Sequence, residues 1–183
     1  MGLLSLQEDR PTPKCVYNVR VYACAAIAAF AAVMIGYDSA FIGGTLALTS
    51  FKDEFNWSQY STTESNLISA NIVSCYQAGA WFGCFFAYPT GHFIGRKRGL
   101  QLFTVIFIIG AGIMMAANGQ RGLGLLYGGR VLAGIGVGAA SNLAPVYVSE
   151  ISPPAIRGRL VGLYELGWQS AGVVGFWINV SSI

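Results

Sequence analysis

Five apolar runs, each about twenty residues or longer, leave this chain few ways to fold: roughly 21–48, 66–90, 99–117, 123–147 and 158–180. About twenty such residues cross the hydrocarbon of a bilayer as an α-helix. Inside it every backbone N–H and C=O must be bonded internally, which leaves helices and closed barrels as the choices. The runs are far longer than the ten or so residues of a barrel strand and do not alternate polar with apolar, so they do not read as strands. The expected fold class is all-α, a polytopic membrane protein with five transmembrane helices. Only 10% of the residues are charged, against about 25% in a soluble domain. The 24 glycines suit closely packed membrane helices.

Residues 1–20 contain no apolar run of signal-peptide type, so the first hydrophobic segment is expected to stay as an anchor. This divides the chain into an N-terminal segment, 1–20, and a transmembrane bundle, 21–183. Arg10, Lys14 and Arg20 precede the first run, Arg96, Lys97 and Arg98 follow the second, and Arg157 and Arg159 follow the fourth. Lys52 and Arg121 fall on the opposite side, and Arg130 lies inside a run. The positive-inside rule then puts the N-terminus in the cytoplasm of a multi-pass protein, expected at the plasma membrane. Two sequons, at Asn56 and Asn179, fall outside; Asn56, in a loop, is the glycosylation candidate, and chance occurrence explains it equally well. The formal charge of +3 is small and one-sided, which argues against a nucleic-acid partner. Cys15, Cys24, Cys75 and Cys84 lack a CxxC spacing and read as reduced packing residues.

Asp38, Arg130 and Glu165 lie within the runs, where charge costs a few kcal/mol even on lenient insertion scales. With a rise of 1.5 Å per residue, Asp38 and Arg130 both fall roughly 18–21 Å from the cytoplasmic boundary. Two opposite charges at one depth can pair, and a proton that neutralised the carboxylate would loosen the contact. Depth alone leaves a proton switch and a static ion pair equally open. Glu165 falls near the midplane, with Trp168, Gln169 and Gly172 at +3, +4 and +7 on one helical face. A carboxylate, an indole and an amide beside a gap suit a polyhydroxylated ligand. The alternative is a packed, protonated Glu165 bonded to a neighbouring helix. Asn71, Ser74 and Gln77 on the second run read as interhelical hydrogen-bonding groups rather than ligand contacts.

The stretch from 129 to 169 resembles the sugar porter family of the major facilitator superfamily. The pattern G-R-x-x-x-G-x-G-x-G stands as Gly129, Arg130, Gly134, Gly136 and Gly138. The family's P-x-Y-x-x-E, S-P and R-G follow as Pro145, Tyr147, Glu150, Ser152, Pro153, Arg157 and Gly158. Gly36-Tyr37-Asp38 is similar to the G-Y-D of proton-coupled members, and Gly95-Arg96-Lys97 to the end of the loop signature between helices 2 and 3. The resemblance implies a fold of two six-helix halves with the ligand between them. Five helices would correspond to most of the N-terminal half. It further implies that Asp38 takes up the proton with Arg130 as partner, and that Glu165, Trp168 and Gln169 meet the ligand. Gly95, Arg96, Lys97, Glu150 and Arg157 would form a cytoplasmic gate, and no cofactor or metal is implied.

Several departures qualify that picture. His92 and Phe93 stand where the family's loop signature has Asp or Asn followed by Arg, and Glu165 stands where it usually has a sugar-binding Gln. The chain ends after the fifth run, so a transporter's sixth helix and C-terminal half are missing, and with them the closed cavity. The expectation is therefore a fragment of a proton-coupled transporter for a monosaccharide, disaccharide or related polyol such as quinate. A transporter-like nutrient sensor and a truncated, non-transporting membrane protein are the alternatives. With one His, no nucleophile–base pair and no metal cluster, an enzyme is not expected.

Overall fold

The structure, a computed structural model, describes residues 18–46, 48–117 and 122–181. Within them the chain forms α1 (Val19–Thr45), α2 (Thr49–Glu54), α3 (Thr62–Phe93), α4 (Arg96–Met115), α5 (Gly124–Ile151) and α6 (Arg157–Ser181), with a 3-10 turn at Trp57–Gln59. The five long helices match the five apolar runs to within a few residues. The short α2 lies in the loop after α1 and was not anticipated. Most of the expected N-terminal segment, including Arg10, Lys14 and Cys15, lies outside the described residues, as does Arg121.

The helix ends follow local chemistry. Glu64 accepts the backbone N–H of Ser61 at 2.9 Å, closing a capping box at the start of α3. Gly95, at φ +92°, makes the reversal from α3 into α4 in a conformation that L side chains rarely adopt. α5 stops at Ile151, just before Ser152-Pro153-Pro154, because a residue preceding proline is pushed out of the helical region. α3 has 32 residues and is about 48 Å long, so it projects beyond a hydrocarbon core about 30 Å thick.

Among the described residues, α1, α4 and α5 are long and apolar enough to cross a membrane by length and composition. α3 and α6 match that length but carry polar side chains, such as Asn66, Ser69, Asn71, Ser74 and Gln77 on α3 and Glu165, Gln169 and Asn179 on α6. These polar groups dilute the apolar signal.

Two groups of helices pack around α5: α3 and α4 lie against it, while α1 pairs chiefly with α6. The glycines of the 129–138 motif divide between two faces. Gly129 and Gly136 meet α4 at Gly110, Met114, Phe103 and Phe107, whereas Gly134 and Gly138 meet α3 at Tyr76, Gly79 and Ala80. Gly79 and Gly83 of α3 return the contact, against the backbone of Val131 and Ile135. Close backbone approach through small residues is how membrane helices gain packing energy where the hydrophobic effect is absent. The seam between the two groups is filled by Ala31, Ala32 and Ile35 of α1, Val137 and Ala144 of α5 and Tyr164 of α6. Nearer the basic ends, Ala25 and Ala28 meet Val148, Ile156 and Leu160. Cys24, Cys75 and Cys84 are free; Cys24 and Cys84 are exposed, and Cys84 Sγ meets the Gly138 carbonyl of α5 at 3.5 Å.

A Cβ at Gly138 would collide with the backbone carbonyl of Ala80, while one at Gly128, on the same helix, would meet open space. Gly138→Ala is expected to destabilise the bundle by about 1–3 kcal/mol. Gly128→Ala should be neutral or stabilise by up to about 1 kcal/mol through helix propensity. Reversible unfolding in detergent measures both, and equal effects would disprove the assignment of the α3–α5 contact.

Candidate functional site

The charges expected at one depth do meet. Arg130 Nη1 donates to Asp38 Oδ2 at 3.1 Å, with side-chain exposures of 3% and 10%. Gly129, one residue before Arg130, draws α5 against α4. The guanidinium lies over the ring of Tyr76 on α3, its Cζ 5.6 Å from the centroid, within the range of a cation–π contact. The Tyr76 hydroxyl is buried beside Asp38 and Ser39 without reaching hydrogen-bond geometry to either. Among the described residues neither that hydroxyl nor Arg130 Nε–H has a hydrogen-bond partner. The site thus holds residues from three helices: Asp38 of α1, Tyr76 of α3 and Arg130 of α5. Sequence reading missed Tyr76. Its spacing to Gly79 and Gly83, at +3 and +7, was the available signal that it faces α5.

The second site is built where α6 crosses α1. A Cβ at Gly36 would collide with the carbonyl oxygen of Trp168 and crowd its indole at 2.7 Å, so glycine at 36 is what lets the helices touch. Trp168 is partly exposed, and Glu165 and Gln169 are exposed beside it. Among the described residues Glu165 is exposed rather than packed. Gly172 lies on the same face, 3.9 Å from the Gly36 carbonyl as measured to a Cβ position. Two turns further along, Asn179 is buried and its amide donates to the carbonyls of Phe41 and Gly175. That sequon asparagine is a helix–helix contact, while Asn56 is exposed in a left-handed turn at φ 49°.

At the basic ends of the helices, Arg96 Nε meets Glu150 Oε1 at 3.0 Å and Arg96 Nη1 donates to the Gly91 carbonyl at 3.1 Å. The side chains are 42% and 45% exposed. Gly95 sets the turn that places Arg96; Lys97 and Arg157 are exposed and stand outside the pair. His92 is exposed, edge-on to Phe93 at 5.2 Å, and lines a groove of about 240 Å³ shared with Arg96 and Asn142. Asn71, Ser74 and Gln77 are exposed on α3, and no hydrogen bond among the described residues joins them to another helix. The reading of them as interhelical glue is corrected: the α5-facing side of α3 is taken by Ile72, Tyr76, Gly79 and Gly83 instead.

A family model described as "Sugar (and other) transporter" matches residues 24–183. A probable quinate permease of Aspergillus niger is 69% identical over 179 residues, 98% of this chain and 33% of that protein. The quinate permease of Emericella nidulans is 68% identical with the same coverage. The chain thus spans a third of the length of these curated relatives. Among solved structures, a D-xylose–proton symporter superposes with a TM-score of 0.75 at 24% identity, covering 87% of this chain and 39% of that one. The inward-open xylose transporter of E. coli gives 0.73 at 24%, covering 84% and 38%. Both share the major facilitator fold with this chain.

Removing one partner of a buried ion pair leaves an uncompensated charge, which costs about 3–5 kcal/mol. Asp38→Ala should destabilise the bundle by that order, and Asp38→Ala with Arg130→Met should recover most of it. Glu150→Gln should cost less than about 1 kcal/mol, as exposed pairs do. Unfolding in detergent gives all three; a double variant no more stable than Asp38→Ala would remove the pair as the source.

Proposed function

Since the chain belongs to the sugar (and other) transporter family, the sugar porters of the major facilitator superfamily, we propose that it serves proton-driven uptake of quinate or a related polyhydroxylated compound. The observation that carries the reading is the buried Asp38–Arg130 pair. The activity is proposed for a whole transporter, of whose length these residues span a third, judged by the quinate permeases. In that reading all five long helices span the plasma membrane, with residues 1–20 in the cytoplasm and 21–183 forming the bundle. The transcript downstream of Ile183 tests the fragment reading: an open frame with further spans is the expected result.

Asp38 takes a proton from outside and loses its charge. Its hold on Arg130 weakens, and with it the tie across the seam between the α1–α6 and α3–α4–α5 groups, which biases one half of the transporter to rock against the other. Glu165 and Gln169 bond ligand hydroxyls and Trp168 covers the apolar face of the ring. Trp168 sits on Gly36, two residues before Asp38, so ligand pressing on the indole bears on the helix that carries the proton. At the cytoplasmic end the Arg96–Glu150 pair, with Gly95, Lys97 and Arg157 beside it, latches the closed side.

In cells making the full-length transporter, Asp38→Asn should abolish concentrative uptake and flatten its pH dependence while exchange of labelled substrate continues. Uptake that stays concentrative and pH-dependent excludes the coupling role. Glu165→Gln should shift the KM for quinate and for sugars by different factors; unchanged kinetics across that panel would remove Glu165 from the ligand face.

A further inference from the structure

The contact of Arg130 with Tyr76 raises a question that the ion pair alone leaves open. When Asp38 is neutral, a guanidinium with 3% exposure still has to be held inside the protein. Tyr76 is placed to do it, with its ring under the guanidinium at 5.6 Å and its hydroxyl buried without a partner. Arg130 Nε–H is a donor in the same position. A buried donor and a buried hydroxyl, both unsatisfied, on the two members of one cation–π stack are unusual, because each costs about 1–3 kcal/mol when left unmade. They are free to meet if the guanidinium turns from Asp38 toward the tyrosine.

We propose that Tyr76 is the second-state partner of Arg130: its ring, and then its hydroxyl, take over the guanidinium when Asp38 is protonated. This rests on the proton-switch reading and adds to it a positioning residue. No bond other than the Asp38 O–H forms, and the proton comes from water.

The neighbourhood of Asp38 contains few rivals. Arg130 of α5 pairs with it and Tyr76 of α3 lies against the guanidinium of that pair. α6, packed on α1 at Gly36, brings Trp168, the buried Tyr164 and the exposed Glu165. α4 has no charged side chain between Gly99 and Met115.

The sign of the effect follows. While Asp38 is ionised its carboxylate already compensates the guanidinium, so the ring adds little. Once Asp38 is neutral, the ring face is the nearest negative electrostatic surface. Deleting the ring therefore raises the energy of the neutral-Asp38 state more than that of the ionised one, and protonation moves to lower pH.

The test reads the protonated Asp38 carbonyl stretch by infrared spectroscopy through a pH titration. The full-length transporter is reconstituted in lipid bilayers, and loss of the band in Asp38→Asn assigns it. Tyr76→Leu should lower the midpoint by about one pH unit, which lies between the exposed and the desolvated limits of a cation–π contact. Tyr76→Met, which refills the space without a ring, should do the same, and helicity by circular dichroism guards against misfolding. Tyr76→Phe keeps the ring and loses only the hydroxyl's contact with Arg130, so it should lower the midpoint by less than the Leu and Met variants do. An unmoved midpoint in both Leu and Met variants, or a Phe variant that moves as far as they do, overturns the role given to the ring. A wild-type chain with no titrating Asp38 band overturns the proton switch itself, and this proposal with it; titration that ignores Tyr76 leaves the switch standing and removes only Tyr76.

Discussion

A guanidinium in the interior of a membrane bundle must be answered by a counter-charge within reach of its own side chain, and Arg130 is answered by Asp38 at 3.1 Å. The helices sort into a pair, α1 with α6, and a trio, α3 and α4 each against α5, and the contact between α1 and α5 is narrower than the α1–α6, α3–α5 and α4–α5 contacts. The ion pair lies across that narrow seam. Sliding α1 along α5 by one helical turn, about 5.4 Å, would part the charges and leave each in a low-dielectric setting at a cost of several kcal/mol. Apolar packing at the seam resists such sliding less, since three of its six buried residues are alanines. Register between the two groups is therefore set by charge rather than by shape.

That register can be reached only because the trio is compact. Arg130 projects from a helix held on two sides by backbone contacts: Gly129 and Gly136 against α4, Gly134 and Gly138 against α3. Spacings of seven and four residues return to one face of a helix, and the two sets diverge to different neighbours. A motif that reads as one string in sequence is thus two interleaved surfaces. With both flanks fixed, Arg130 has one direction left, toward Asp38 and the Tyr76 ring.

The sequence made the number of long helices legible, because length and apolarity are local properties. It made the Asp38–Arg130 contact legible through depth, which in a membrane is a coordinate shared by distant helices; soluble proteins offer no such ruler. It did not reveal Tyr76, since a tyrosine in an apolar run carries no cost that demands a partner. Nor did it place Asn71, Ser74 and Gln77: polarity says that a side chain needs hydrogen bonds, not which way its helix turns. Asn179 makes the same point in reverse, being a sequon by pattern and a buried bond to the Phe41 carbonyl in fact. α2 escaped notice because six residues in a loop have no periodicity to read.

Two ion pairs, one buried and one exposed, have different physical capacities. The Arg96–Glu150 pair is more than two-fifths exposed on both partners, so water and salt screen it and its opening costs little. It can hold a closed side shut only while the helices that carry it are already packed together. The Asp38–Arg130 pair is shielded from both, so adding one proton changes the energy of the seam by far more than the same proton would at the surface. In the proposed mechanism the direction of control follows from this difference. The buried pair sets how the two helix groups sit, and the exposed pair follows that packing because it is too weak to oppose it.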